Sequence, residues 1–197
     1  MWFNQAITPT AVEQVLANIP AGNTTLRLTG WDIDNKHWYQ AIEAKGYPLI
    51  SEQAGMSLPL QQSFTNNNLL QYSEVSTAAE AAVWSDVFKQ AFNYHVNKNI
   101  ILQTQGVLYF YLAYYQQQPV GTAVVNFTGD IAGIHSMGVI PNMRRKGFAE
   151  AIMQFVLNKS MAGNARYATL QASNMGKGLY LKMGFEEQFT IKSYKVR

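Results

Sequence analysis

The sequence predicts an α/β (α+β) fold, in which a mixed and mostly antiparallel β-sheet is flanked by helices. Helical periodicity with capping signals alternates along the chain with short runs of aromatic and β-branched residues. Of the 197 residues, 48% are hydrophobic, which is enough to bury a sizeable core. Over residues 71–197 the strand and helix candidates follow the order βαβββαβαββ.

Residues 1–68 are predicted to form an N-terminal accessory segment. A capping box at Thr10 and Glu13 precedes apolar residues at helical spacing, which predicts a short helix. The polar run 61–68 ends in three asparagines and is typical of a linker, so we place a boundary at residue 68. Because the segment is too short to bury a core of its own, we expect it to pack against the rest of the chain. Between helix and linker lie a strand candidate at 26–28, a helix candidate at 37–44 and an apolar stretch at 56–60.

Residues 69–197 are predicted to form the main domain. A second capping box, Thr77 with Glu80, begins a helix of about four turns whose periodicity fades near Asn97. The aromatic and β-branched runs that follow are separated by a short turn and predict an antiparallel hairpin. The other predicted elements are strands at 71–75, 107–115, 120–127, 131–140 and 167–172, helices at 144–160 and 176–183, and two short strands within 185–196.

The composition excludes several kinds of site. Without cysteine the chain has no disulfides, thiolate metal sites or cysteine nucleophiles. It has no H-x-x-x-H pattern and no cluster of carboxylates, so we predict no metal site. Its first residues lack the pattern of a secretory signal, and no apolar run approaches the roughly 18 residues of a membrane span. We therefore expect a cytoplasmic protein with no membrane partner.

Charge is distributed unevenly along the chain. Residues 1–142 hold 5 Lys+Arg against 9 Asp+Glu, whereas residues 143–197 hold 10 against 3. The cations are not spread over the long track that a nucleic acid needs, so we predict an anionic ligand at one place and no nucleic-acid partner. A solvated charged face is the alternative.

The stretch 139–149 links a predicted strand to a predicted helix and carries the chemistry of an anion site. A helix N-terminus offers unpaired N–H donors and the positive end of the helix dipole, and glycine lets the backbone approach a diphosphate closely. Consecutive cations add charged hydrogen bonds. No GxxxxGK[ST] run and no GxGxxG follows a strand, which excludes a P-loop and a Rossmann fingerprint. The predicted contacts to a polyanion are Arg144, Arg145, Lys146, Gly147, Phe148 and Ala149.

The pattern V-x-P-x-x-R-x-x-G-x-A at 139–149 resembles the acetyl-CoA signature of the GNAT superfamily of N-acetyltransferases, V-x-P-x-x-[RQ]-x-x-G-x-[GA]. A second element at 170–185 is similar to the strand, short helix and Y-x-x-x-G-F of that superfamily. The resemblance covers roughly residues 71–197 and agrees with the predicted element order. Residues 46–47 and 55–58 resemble the tail of a truncated second GNAT-like unit.

The resemblance implies a GNAT acyl-CoA N-acyltransferase fold whose central strands splay apart, with acetyl-CoA as cosubstrate entering the gap. Backbone groups of Met137, Gly138 and Val139 would pair with the pantetheine amides, since the strand end is otherwise left without partners. By the same resemblance Asn174 would bond the pantetheine or an ordered water. For Asn174 a helix N-cap is the alternative.

Two residues are candidates for catalysis. Tyr180 matches the family tyrosine that stands near the CoA sulfur, which implies a general acid for the departing thiolate; a core tyrosine is the alternative. Some members carry a glutamate base on the strand before the signature, and here that strand contains none. His135 is its only ordinary titrating base, with a core histidine or a water chain to solvent as the alternatives.

The resemblance therefore implies an N-acetyltransferase that uses acetyl-CoA to acetylate a primary amine of a small molecule or peptide. A catalytically silent module that binds acyl-CoA as a sensor is the second interpretation, which retention of Tyr180 disfavours. Neither the acceptor amine nor the oligomeric state, a homodimer among the options, is determined by these motifs.

Overall fold

The computed structural model describes residues 8–18, 26–32, 39–65 and 68–196. Its strands in these ranges are β1 (Arg27–Asp32), β2 (Leu49–Pro59), β3 (Gln71–Glu74), β4 (Leu108–Tyr115), β5 (Gln118–Thr128), β6 (Ile131–Val139), β7 (Tyr167–Ser173) and β8 (Glu186–Lys195). Its helices there are α1 (Pro9–Ala17), α2 (Gln40–Glu43), α3 (Ala78–Phe92), α4 (Lys98–Gln103), α5 (Phe148–Ala162) and α6 (Asn174–Lys182).

The chain divides into two compact units. Residues 57–170 form one unit, and residues 1–56 together with 171–197 form the other. The predicted fold class is confirmed, because β6 and β7 pair in parallel while β3 with β4, β4 with β5 and β5 with β6 pair antiparallel. The domain boundary predicted at residue 68 stays a prediction.

In the unit of residues 57–170 the strand order is β7-β6-β5-β4-β3, with a helix on each face. The predicted hairpin is confirmed, since β4 and β5 pair antiparallel around a turn in which Gln116 and Gln117 both have positive φ. On the α3 face, Trp84 packs against Phe88 and Phe110. On the α5 face, the ring of Phe155 lies against those of Tyr72 and Tyr111. Aromatic contacts of this kind hold the sheet between its two helices.

The predicted capping box is confirmed at the start of α3. The Thr77 hydroxyl accepts from the Glu80 N–H at 3.2 Å, and Glu80 Oε2 accepts from the N–H groups of Ser76 and Thr77, each at 2.9 Å. These bonds to the charged form lower the pKa of Glu80 to about 2. The helix start is therefore fixed by local chemistry.

Two helices differ from the prediction. Helix α5 begins at Phe148 and not at Arg144, because Pro141–Met143 forms a 3-10 turn and both Arg145 and Gly147 have positive φ. Helix α4 was not predicted. Its N-cap is Asn97, whose side chain accepts from the Asn99 N–H at 2.9 Å. A helix of one or two turns carries too little periodicity to be recognised from sequence.

The second unit joins the N-terminal segment to the last strand. Strand β1 pairs antiparallel with β8 from Arg27↔Lys195 to Asp32↔Thr190, so the segment packs against the C-terminal part of the chain as expected. The prediction of two short strands within 185–196 is wrong, because β8 runs without a break from Glu186 to Lys195 and its second half pairs with β1. The core below them contains Val12, Leu28, Ile42, Tyr194 and Val196.

Two features of the N-terminal segment also differ from the prediction. The N-cap of α1 is Thr8, whose hydroxyl accepts from the Ala11 N–H at 3.1 Å, and not Thr10. The helix predicted at 37–44 is described only from residue 39, where α2 is its observed part. No helix in the described ranges is both long enough and apolar enough to cross a membrane.

Candidate functional site

The predicted splay of the central strands occurs where β6 extends beyond the end of its pairing with the parallel strand β7. The β6–β7 ladder runs from Ile131↔Tyr167 to Ile134↔Leu170, and β6 then continues to Val139. On its other side β6 stays paired to β5 as far as Gly121↔Val139. Met137, Gly138 and Val139 therefore lie on the part of β6 that extends beyond the ladder. Backbone groups at such a strand end are available to an extended ligand.

A β-bulge interrupts β6 just before this strand end. Val124 faces His135 and Thr122 faces Gly138, so two residues of β6 oppose one residue of β5. The bulged residue Ser136 has φ of 50°, and its carbonyl accepts from Thr122 Oγ1 at 2.9 Å. Because Thr122 is fully buried, this bond fixes the bulge from within the sheet. The bulge re-aims the backbone of the following residues.

Helix α3 lies directly on β6 at Gly138. A Cβ placed on Gly138 would be 2.6 Å from a carbon of the Phe92 ring and 3.2 Å from the Ala91 Cβ. A larger residue here would require the Phe92 ring to move. The close approach brings the C-terminal end of α3, including the half-exposed Phe92, beside the end of β6.

The loop between β6 and α5 has the geometry of an anion cradle. Gly147, at φ of 78°, is the N-cap of α5 and contributes no side chain to it. A Cβ at Gly147 would meet no other atom within 4 Å, so the space in front of the helix start is open. The first N–H groups of a helix, here beginning at Phe148 and Ala149, have no partners within the helix. A diphosphate fits this combination of donors, dipole and space.

The side chains of the loop play different parts. Phe148 is buried against Tyr115, with ring centroids 4.9 Å apart, so only its backbone is available to a ligand. Arg145 and Lys146 are exposed at the loop, and the Lys146 ammonium lies 3.6 Å from the Met143 sulfur. Arg144 instead donates to two backbone carbonyls, those of Val139 at 3.1 Å and Ala91 at 3.0 Å.

His135 precedes the bulge on β6. Its Nε2 donates to Asn126 Oδ1 at 3.1 Å, which leaves Nδ1 as the free basic nitrogen of the neutral ring. Partial desolvation of the imidazole lowers its pKa below 6.5. The space for this pair exists because Gly133 has no side chain: a Cβ there would be 2.9 Å from His135 Nε2. The lowered pKa therefore favours the neutral form of His135 at pH 7.

Helix α6, in the other unit, carries Asn174 and Tyr180. The N-cap of α6 is Ser173, whose hydroxyl accepts from the Gly176 N–H at 3.3 Å. The N-cap alternative for Asn174 is therefore wrong, and its exposed side chain occupies the first helical position. The Tyr180 side chain is 8% exposed and lies against the ring of Phe185, and burial raises its pKa to about 12. Its phenol therefore keeps its proton at neutral pH.

Three supporting residues were missed from sequence. Thr122 and Asn126 are polar residues within the apolar central part of β5, and that contrast could have marked them. Ala91 acts through its carbonyl oxygen, for which the sequence gives no sign. Among the residues that the structure describes, no group of three or more histidine and carboxylate side chains is placed to hold a metal ion.

Comparison with known proteins agrees with this geometry. Residues 107–187 match the family model of the acetyltransferase (GNAT) domain. Among curated proteins none matches the chain. The fold resembles a GCN5-related N-acetyltransferase from Kribbella flavida (TM-score 0.71, 16% identity, covering 95% of this chain and 74% of that one). It also resembles one from Sphaerobacter thermophilus (TM-score 0.71, 17% identity, covering 95% and 65%).

A further similar structure is a predicted acetyltransferase from Clostridium acetobutylicum, solved with acetyl-CoA. It has a TM-score of 0.52 and 18% identity, and the match covers 60% of this chain and 90% of that one. At these identities the structural matches establish the fold, while the family model identifies the sequence pattern. Residues 107–187 thus match the GNAT acetyltransferase domain, and the fold of the chain is that of GCN5-related N-acetyltransferases.

Proposed function

We propose that this protein transfers an acetyl group from acetyl-CoA to a primary amine of a small molecule or peptide. The main observation behind the proposal is that the end of β6 extends beyond its pairing with β7 and leads directly into the open, glycine-capped loop before α5. A ligand with an extended amide chain joined to a diphosphate matches that order along the protein.

Each part of the cosubstrate has candidate partners. The backbone groups of Met137, Gly138 and Val139 would pair with the pantetheine amides. The loop amides from Arg145 to Ala149 would surround the diphosphate, and the side chains of Arg145 and Lys146 would add long-range attraction. Asn174, exposed at the start of α6, would add a side-chain hydrogen bond.

Acetyl-CoA supplies an activated thioester, and the protein supplies proton control. His135 is neutral and can accept the proton of the amine at Nδ1. By the family resemblance, Tyr180 would donate toward the departing sulfur. With a pKa of about 12 it is a weaker acid than a thiol at about 8.5, so stabilising the thiolate by a hydrogen bond is its main contribution. A backbone N–H near Val139 would bind the developing oxyanion.

The proposal is tested by measuring CoA release with a panel of amines, in parallel with calorimetric binding of CoA and acetyl-CoA. We expect both nucleotides to bind alike, because they share the diphosphate and pantetheine, and at least one amine class to accelerate thiol release. Binding without acceleration by any amine would favour the silent sensor. Absence of binding by either nucleotide at millimolar concentration would refute the proposal.

For His135 we expect a distinct dependence of rate on pH. In the wild type, kcat/KM for the acceptor should rise through a midpoint below 6.5 and then level off, because the lowered pKa keeps the imidazole neutral above it. His135→Ala should remove that rise and slow turnover by on the order of a hundredfold. Ionisation of the acceptor amine affects the pH profile of every variant equally, so the profiles are compared with the same acceptor.

The matched control is His95→Gln. His95 bonds Ser85 Oγ at 3.1 Å near the end of α3 and has no part in the proposed chemistry, so its replacement should leave the pH profile unchanged. If His135→Ala retains full activity from pH 6 to 9, the base is a water chain and not this histidine.

A further inference from the structure

The guanidinium of Arg144 joins two elements of the fold. Nε donates to the carbonyl of Val139, the last residue of β6, at 3.1 Å, and one terminal nitrogen donates to the carbonyl of Ala91 at 3.0 Å. Ala91 lies in the last turn of α3. The planar fork of arginine can reach two carbonyls at once, which the single ammonium of lysine does not do at a fixed geometry. Arg144 therefore connects the start of the anion loop to the end of α3.

The positive charge of Arg144 already interacts with the C-terminal end of α3 in this position. The last carbonyls of a helix lack partners within the helix and form the negative end of the helix dipole, so a guanidinium is favourable there. Arg145 and Lys146 are different, because neither donates to α3 in the described part of the chain. All three consecutive cations are exposed, and Arg144 is distinguished from the other two by its hydrogen bonds to two backbone carbonyls.

The end of α3 that Arg144 holds is also the end that touches β6. The ring of Phe92 lies over Gly138 and stacks on Phe88, with centroids 4.6 Å apart. The ring of Tyr94, which is 60% exposed, meets Phe92 edge-on. These two exposed aromatic rings stand beside the strand end on which the acyl group is proposed to lie.

We propose that Arg144 is a positioning residue. It fixes the anion loop to the end of α3, while Arg145 and Lys146 alone supply side-chain charge to the diphosphate. The link between loop and helix stands on the two hydrogen bonds, and its consequence for CoA rests on the proposed function. Removing the hydrogen bonds of Arg144 should therefore disturb both the loop and the rings of Phe92 and Tyr94, without removing a phosphate ligand.

The first test needs no ligand. Hydrogen exchange should become roughly tenfold faster in the last turn of α3 in Arg144→Lys and in Arg144→Gln, because both lose the bridge between the two carbonyls. The matched variants Arg145→Lys and Arg145→Gln should exchange like the wild type. Unchanged protection of α3 in Arg144→Lys would overturn the proposal.

The second test uses CoA as the probe. Arg144→Lys should weaken CoA binding about tenfold although the charge is kept, and should raise the acceptor KM at saturating acetyl-CoA. The dependence of the CoA Kd on ionic strength should stay as in the wild type for both Arg144 variants and should decrease in Arg145→Gln. Normal affinity in Arg144→Lys, with a reduced salt dependence in Arg144→Gln, would instead make Arg144 a phosphate ligand.

These outcomes separate the two proposals. If the wild type binds no CoA, the proposed function fails, and the ligand-free exchange experiment still decides the role of Arg144. If the Arg144 variants do not fold, the role of Arg144 can be tested in the wild type by labelling with ¹⁵N-arginine and measuring exchange of the Nε–H groups. The Nε–H of Arg144 should exchange slowly and that of Arg145 rapidly, and equal exchange of the two would overturn the proposal.

Discussion

Replacing Gly147 with glutamate is expected to abolish binding of acetyl-CoA. Gly147 has φ of 78°, where a residue with a Cβ is strained by about 1–2 kcal/mol, and the space in front of it is open. A carboxylate there would lie among the donors proposed for the diphosphate and would repel it. We expect at least a hundredfold loss of affinity, or about 2.7 kcal/mol, measured by calorimetry and by loss of the rise in Tm with acetyl-CoA.

Gly129→Glu is the matched control. Gly129 also has positive φ, at 59°, and open space around its Cβ position, but it lies in the turn between β5 and β6. That turn is at the opposite end of β6 from Val139, roughly 25 Å away along the strand. Both variants therefore carry the same charge change and similar backbone strain. Equal loss of acetyl-CoA binding in the two would show that the effect is general, and the loop at Gly147 would not be the site.

Tyr180→Phe is expected to leave acetyl-CoA affinity nearly unchanged and to slow turnover by on the order of a hundredfold. The substitution keeps the ring against Phe185 and removes only the hydroxyl that would donate toward the sulfur. The measurement is single-turnover release of CoA beside calorimetric binding, so that chemistry and affinity are separated. Tyr167→Phe, on an exposed ring of β7, is the control and should behave like the wild type.

The raised pKa of Tyr180 adds a second expectation. With a pKa of about 12 its phenol stays protonated across the range in which an ordinary tyrosine begins to ionise, so wild-type kcat should show no fall between pH 8 and about 10. An alkaline fall in the wild type that vanishes in Tyr180→Phe would mean that Tyr180 ionises in that range. A parallel loss of affinity and rate in Tyr180→Phe would assign the residue to the core.

Local chemistry explains what could be predicted from the sequence. The start of α3 is set by Thr77 and Glu80, which lie within one turn of each other, and Gly147 is marked by the motif around it. The hairpin of β4 and β5 follows from two β-rich runs separated by a short turn. In each case the residues that determine the structure are close together in the chain.

Contacts between distant residues explain what could not be predicted. The bulge at Ser136 depends on Thr122 on the neighbouring strand, and the orientation of Arg144 depends on a carbonyl at Ala91. The sequence did not predict that Gly138 must lack a side chain, because that requirement comes from the packing of Phe92 against it. The sequence therefore predicted the loop residues as a group but could not separate Arg144, which donates to two backbone carbonyls, from Arg145 and Lys146.

The unit formed by residues 1–56 and 171–197 has a consequence for how the protein is made. On the ribosome β1 is synthesised before residues 57–170, and its partner β8 only after them. At roughly 5–20 residues per second, β1 waits on the order of ten seconds for the strand that pairs with it. Until β8 is made, β1 lacks the strand that pairs with it, whereas the β4–β5 hairpin can form as soon as residue 128 has emerged. Chaperones that recognise emerging apolar strands should therefore act on the N-terminal segment of this protein.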